Sequence, residues 1–215
     1  MIEAVIFDVD GVLTDSEPLH LEATNRVLSE HGKALDEEEN KEYLGLDERD
    51  FWRKVAARFE LKADPDALGA QRVEVYLELM KDGLLPMPGV PECITGMLMR
   101  GLSLAAASSS SRRVVDATLA ELGLQKSFQA VVCGDEVARS KPDPEIFLKA
   151  AERLGVPPEN CLVIEDAPHG IQAAREAGML PVAVLNQYNI DLDLTAAERI
   201  FSGLARFDWN LFEER

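Results

Sequence analysis

The sequence predicts an α/β chain: a doubly wound parallel sheet with helices on both faces and a helical segment inserted after the first strand. Three observations predict it. Short, continuous apolar runs recur at residues 4–9, 102–107, 130–133, 161–164 and 181–185, as suits parallel strands buried on both faces. Helical patterns separate the later runs in a β-α-β rhythm. Between the first run and the second, about ninety residues pass without a good strand signal, far beyond an ordinary connection.

The inserted stretch has its own order. Leu19, Ala23, Val27 and Leu28 fall at helical spacing within residues 17–30, and residues 47–59 and 66–80 also read as helices. Gly32, Gly45 and Gly83-Leu84-Leu85-Pro86 punctuate them. The insertion is placed at residues 16–84, with residues 1–15 and 85–215 as the α/β core. Met87-Pro88-Gly89-Val90 begins a helix that returns to the core. Later helices are expected over residues 112–122, 144–154 and 171–177, with Pro144 opening the second, Gly155 closing it and Gly178 closing the third. Together these elements describe a Rossmann-like core with a small α-helical domain inserted after its first strand. Beyond Gln187 the pattern weakens: residues 189–193 read as a loop and 207–215 as a loosely docked tail.

Composition bounds the partners. Hydrophobic residues make up 47%, enough for a sizeable core, while aromatics at 6% leave its packing to Leu, Val, Ile and Ala. Lys and Arg number 22 against 39 Asp and Glu, a net charge of −17. That field repels nucleic acid and anionic lipid, so neither is expected as a partner, and any phosphate site needs local cations. No apolar run is long enough to span a membrane, and the apolar start lacks the basic flank of a signal peptide. Cys93, Cys133 and Cys161 form no Cys-x-x-Cys pair; Cys133 and Cys161 sit in or beside apolar runs and read as buried thiols. A cytoplasmic monomer is the expectation.

Four polar clusters follow the apolar runs. The first is Phe7-Asp8-Val9-Asp10-Gly11-Val12-Leu13-Thr14-Asp15-Ser16. Asp8 and Asp10 share a face in extended chain, and carboxylates so placed repel unless a cation lies between them. Gly11 allows a sharp turn. The other reading has these aspartates capping neighbouring backbone. The second cluster, Ala106-Ala107-Ser108-Ser109-Ser110-Ser111-Arg112-Arg113, leads into a helix, where the hydroxyls of Ser108 and Ser109 and open backbone N–H groups suit a phosphate; one serine serving as an N-cap is the alternative. In Arg139-Ser140-Lys141-Pro142-Asp143-Pro144 the proline keeps Lys141 out of a helix, in place to meet a phosphoryl oxygen or simply to sit at the surface. The fourth, Ile164-Glu165-Asp166-Ala167-Pro168-His169-Gly170, ends a run in adjacent carboxylates, the hard oxygen donors that Mg²⁺ takes; His169 reads as a structural turn residue. Singly these signals are moderate. Together they place acids, phosphate donors and a lysine at the C-terminal ends of four parallel strands, where open α/β sheets bind ligands.

These residues resemble the haloacid dehalogenase superfamily, in its subgroup with an α-helical cap, and within it the β-phosphoglucomutases and small sugar-phosphate phosphatases. The likeness rests on the Asp8-to-Ser16 motif, on Lys141-Pro142-Asp143-Pro144 and on Glu165-Asp166 in that order, and covers nearly the whole chain to about Leu185. The resemblance implies Asp8 as nucleophile, forming an aspartyl-phosphate, and Asp10 as general acid and then base. It implies Ser108, Ser109 and Lys141 on the phosphoryl group, and Mg²⁺ held by Asp8, Asp10 through its backbone carbonyl, and Asp166, with Glu165 assisting. It places His20, the Gly45 loop, Arg49 and Arg72 in a cap that closes over a small phosphorylated metabolite. The chain departs from the mutase pattern at Glu48, where an arginine is usual and Arg49 follows one step later. Arg72 stands in place of a lysine, and Asp15-Ser16-Glu17-Pro18 is more typical of the phosphatases. The expected function is thus a Mg²⁺-dependent phosphatase, with a mutase as runner-up. A metal-independent dehalogenase is disfavoured by the many acids, and a non-catalytic binding protein by the presence of every expected catalytic residue type.

Overall fold

In β1 (Ala4–Phe7) all four residues are apolar and buried, so the strand belongs inside a sheet. The computed structural model describes residues 1–43, 46 and 48–212. It joins β1 to β2 (Ser103–Ser108), β3 (Ala130–Cys133), β4 (Cys161–Glu165), β5 (Leu180–Val184) and β6 (Arg199–Phe201) in the order β3-β2-β1-β4-β5-β6, every pair parallel. The chain moves outward from β1 to β3, then crosses back to β4 on the other side of β1. The loops leaving β1 and β4 therefore part at the C-terminal edge and open a crevice.

The insertion after β1 contains α1 (Glu17–Ser29), α2 (Glu37–Lys41), α3 (Glu48–Phe59) and α4 (Pro65–Leu79), and among the described residues no strand interrupts them. Short α2 had no apolar pattern to announce it; it is held by a capping box in which Asp36 and Glu39 bond each other's backbone N–H. Val27, Leu28, Leu35, Tyr43, Phe51, Trp52, Val55 and Leu68 give the insertion its own apolar core. A second cluster, built on Ala23, Tyr76, Met80 and Leu84, seats it on Val114 of α6 (Arg112–Glu121). Where the chain leaves and re-enters the core, Thr14 bridges to Pro86 and its Oγ1 donates to the Leu85 carbonyl at 2.9 Å.

Strand alternation divides the main core into two layers. Val5, Phe7, Leu104, Ala106, Leu162 and Ile164 face α5 (Val90–Met99) and α6, while Ala4, Ile6, Ala105, Ala107, Cys161 and Val163 face α7 (Glu145–Leu154) and α8 (Pro168–Glu176). All three cysteines are buried and unpaired. Residues 189–193 form a loop as expected, and one expectation for the end of the chain is corrected. A sixth strand, β6, exists beyond Gln187; its three residues are exposed or half-buried and carry no continuous apolar run to reveal it. The described part of the tail, residues 207–212, is not loosely docked: Phe207 and Leu211 join Leu204 in the buried α5 layer, and the Trp209 ring lies under the Arg100 guanidinium at 4.1 Å. Its anchors are single aromatic and aliphatic side chains, not a periodic face. His169 lies exposed in the first turn of α8.

Candidate active site

Asp8 directly follows β1, and its backbone N–H donates to the Ile164 carbonyl at 2.9 Å, which extends the pairing with β4 by one step. The chain then turns through Gly11 at φ +77°. A side chain there would put its Cβ 2.1 Å from Asp166 Oδ2, so glycine is required both by the turn and by the close approach of the β4 loop.

Lys141 is the hub. Its Nζ donates to Asp8 Oδ1 at 2.5 Å, Glu165 Oε1 at 2.8 Å and the Ala107 carbonyl at 3.3 Å, which ties β1, β4 and β2 together. Burial would strip its charge, but the two carboxylates outweigh that and raise its pKa. Glu165 is tied down as well: its Oε2 accepts the backbone N–H groups of Asp166 and Ala167 at 2.8 and 2.9 Å. Oxygens of Asp8, Glu165 and Asp166 lie within 4.8 Å of one another. Asp8 and Glu165 thus share one ammonium, and Asp166 stands beside them without a contact to it. Burial, and the charges of Glu165 and Asp10 against that of Lys141, push Asp8 up to about 8. Burial together with Glu165 and Asp8 raises Asp166 as well. Crowded oxygen donors with surplus negative charge fit a hard divalent cation.

The Asp10 carboxylate is held in a separate cage. Ser16 Oγ at 2.7 Å and His20 Nε2 at 3.2 Å meet Oδ1, and Ser108 Oγ at 3.2 Å and Ser110 Oγ at 3.1 Å meet Oδ2. Burial works to raise its pKa, but hydrogen bonds from His20, Ser16 and Ser110 prevail and hold it below the usual carboxylate range. His20 is itself fixed from behind. Arg72 Nη2 lies 3.0 Å from His20 Nδ1, and a guanidinium only donates, so Nδ1 accepts and the ring hydrogen sits on Nε2 facing Asp10. His20 stacks on Tyr76 with centroids 4.2 Å apart. Arg72 also pairs with Glu48 at 3.2 Å, and its guanidinium lies 4.9 Å above the Phe51 ring.

One cavity between core and insertion is lined by Asp8, Asp10, His20, Arg72, Ser108, Ser109, Lys141, Glu165 and Asp166. Arg49 is outside this set; it is exposed and pairs with Asp66 at 3.6 Å. Gly45 lies outside the described residues. Reading the sequence missed Ser110 and Ser16 as Asp10 donors, though both stood in the quoted motifs. It also missed Glu17, half-buried in the cavity, whose pKa is raised by burial and then by Asp10 and Asp15 against His20 and Arg72. Asn186 and Asn189 gave no signal beyond loop composition.

The crevice of this parallel sheet gathers Asp8, Asp10, Glu165 and Asp166 with Lys141 and a serine loop, and comparison with known proteins gives the family. A family model described as haloacid dehalogenase-like hydrolase matches residues 2–178, so the chain belongs to that family. It is 38% identical over 182 residues to the phosphorylated carbohydrates phosphatase of Thermotoga maritima, covering 83% of this chain and 82% of that one. It is 38% identical to the fructose-1-phosphate phosphatase YqaB of Escherichia coli, over 84% of this chain and 95% of that protein. Among solved structures it resembles a β-phosphoglucomutase from Clostridium difficile, with a TM-score of 0.87 and 26% identity over 100% of this chain and 96% of that one.

Proposed function

We propose that the protein is a Mg²⁺-dependent phosphatase that hydrolyses a small phosphorylated metabolite, best a sugar monophosphate, through an aspartyl-phosphate on Asp8. The observation that carries this reading is the buried Asp8 carboxylate, gripped by Lys141 and set within 4.8 Å of Glu165 and Asp166. The names of two relatives sharing 38% identity, a phosphorylated carbohydrates phosphatase and a fructose-1-phosphate phosphatase, support the substrate class.

Asp8, Asp166 and the Asp10 backbone carbonyl would hold the metal, which supplies charge stabilisation for the transferring phosphoryl group. Glu165 orients Lys141 more than it ligates, because its oxygens already accept three hydrogen bonds. Asp8 attacks phosphorus and the ester P–O bond breaks, with Asp10 delivering a proton to the leaving oxygen. Water then attacks phosphorus, Asp10 takes its proton, and the bond to Asp8 breaks to release inorganic phosphate. The four donors around Asp10 suit its carboxylate form, the base of the second step. In the first step Asp10 carries a proton, so at least one of those contacts must yield as substrate enters. Residues 16–84 act as a cap that closes on the substrate, bringing His20 and Arg72 onto it.

The mutase reading is favoured by the contact of His20 with Asp10 and by the likeness to a β-phosphoglucomutase. Against it stands Arg72, whose charge is already met by Glu48, and Arg49, turned to Asp66; neither is a spare cation for a second phosphate. Product analysis decides. Stoichiometric phosphate release from a panel of sugar monophosphates with Mg²⁺ is the expected result. Conversion of β-glucose 1-phosphate to glucose 6-phosphate, primed by the bisphosphate, would overturn it. Asp8→Asn should abolish turnover, and unchanged turnover would remove the nucleophile assignment.

A further inference from the structure

The loop that follows β5 carries two asparagines whose amides tie it to the β4 loop and to the turn after β1. Asn186 Nδ2 donates to Asp166 Oδ2 at 2.8 Å and to the Gly11 carbonyl at 3.1 Å. Its Oδ1 accepts from the backbone N–H groups of Tyr188 at 2.9 Å and Asn189 at 3.2 Å. Asn189 is 1% exposed; its Nδ2 donates to the Asp166 carbonyl at 2.8 Å and the Val184 carbonyl at 2.9 Å, and its Oδ1 accepts the Asn186 N–H at 2.9 Å. These partners fix both amide orientations, since a flipped amide would set N–H against N–H. The pair therefore clamps Asp166 at its backbone carbonyl and at one carboxylate oxygen. The same oxygen is backed by Gly11, where a Cβ would fall 2.1 Å away.

We propose that Asn186 is a positioning residue that confines Asp166 to one-oxygen coordination and so selects Mg²⁺ over Ca²⁺; this rests on the metal-dependent reading above. With Oδ2 engaged by the Asn186 amide, Oδ1 is the oxygen that would face the metal. Magnesium demands a tight octahedron of single oxygen donors, whereas calcium is larger, tolerates irregular sites and readily takes both oxygens of a carboxylate. A carboxylate that cannot turn both oxygens inward favours the smaller ion. Asn189 acts one step further out, holding the backbone of Asp166 and the Asn186 N–H together.

The test is calorimetric titration of Mg²⁺ and of Ca²⁺ into the whole chain and into Asn186→Leu and Asn186→Ser, with melting temperatures taken in chelator. Removing a group that orients a metal ligand costs about 10- to 100-fold in affinity. Both variants are expected to lose Mg²⁺ affinity on that scale while Ca²⁺ affinity falls less, so the ratio of the two dissociation constants shifts toward calcium. The serine variant keeps a polar loop and serves if the leucine variant does not fold. Equal losses for both ions, or no loss for Mg²⁺, would overturn the proposal while leaving the phosphatase reading intact. Failure of the unaltered chain to bind Mg²⁺ at all would remove that reading and this inference together.

Discussion

Lys141 and Asp8 are 133 positions apart in sequence, yet their side chains meet at 2.5 Å in a buried ion pair that Glu165 shares. Loss of one partner of a buried pair leaves an uncompensated charge, typically at a cost of about 3–5 kcal/mol. Lys141→Met should therefore lower the denaturation midpoint. It should also cut kcat by about 10²- to 10³-fold, the scale for removing a group that stabilises developing charge. Single-turnover kinetics beside urea unfolding separate the two effects. A variant with normal kcat would show that the lysine is structural only.

Arg72 reaches Asp10 through His20. Arg72→Met removes the donor that pins His20 Nδ1, so the ring can present the wrong nitrogen to Asp10. The expected loss in kcat is about ten-fold, below the 10²–10⁴ of a group that moves the proton itself. Arg72→Lys keeps a donor and should retain most activity. Nitrogen chemical shifts of His20 check the tautomer directly, and a methionine variant with an unchanged tautomer contradicts the argument.

Gly170 does for Glu165 what Gly11 does for Asp166. In the first turn of α8, a Cβ at Gly170 would fall 1.7 Å from Glu165 Oε1. Glu165 cannot retreat, being 1% exposed and tied to Lys141 and two backbone N–H groups. Gly170→Ala should cost about 1–3 kcal/mol, as overpacking does, and should reduce turnover by displacing the Lys141 pair. A fully active, equally stable alanine variant is the outcome that defeats this account.

The docked tail makes a stability prediction of its own. Phe207 is buried and packs against Phe201, Trp209 and Phe212, with centroids 5.2 to 5.7 Å away. Phe207→Ala should destabilise by about 3–5 kcal/mol, the usual range for a buried phenylalanine. Denaturant unfolding measures it, and a change within about 0.5 kcal/mol would mean the tail contributes no more than a surface segment does.

That tail marks where the sequence stopped being legible. Strands β1 to β5 were readable because burial on both faces demands unbroken apolar runs. Strand β6 has three residues that are exposed or half-buried, so that demand lapses there, whereas β3 at the other edge is still covered. The acids were readable because they stand at or just beyond the ends of such runs, and Lys141 because Pro142 after it keeps the segment beyond β3 out of a helix. Asn186 and Asn189 were not, because an amide that orients a carboxylate leaves no periodicity and no charge. Arg49 shows the opposite limit: spacing put it near the cap loop, but only side-chain direction decides which way it points, and it points to Asp66.

Metal and proton should compete at Asp8. In the metal-free chain burial and neighbouring acids push its pKa up to about 8, well above the value near 3.9 of an unfolded chain. Between those values the folded state binds more protons than the unfolded one, so this group's contribution to stability falls as pH rises through the window and is most favourable below it. Mg²⁺ needs the ionised carboxylate, so binding must release protons across the same window, and affinity should climb with pH until it levels off above about 8. Calorimetric titrations in buffers of different ionisation enthalpy count the protons released. Melting in chelator should show stability declining from pH 5 to 8 by this term, and added Mg²⁺ should reverse the decline. Mg²⁺ affinity that is flat from pH 5 to 8, with no proton release, would mean that Asp8 is already ionised before the metal arrives.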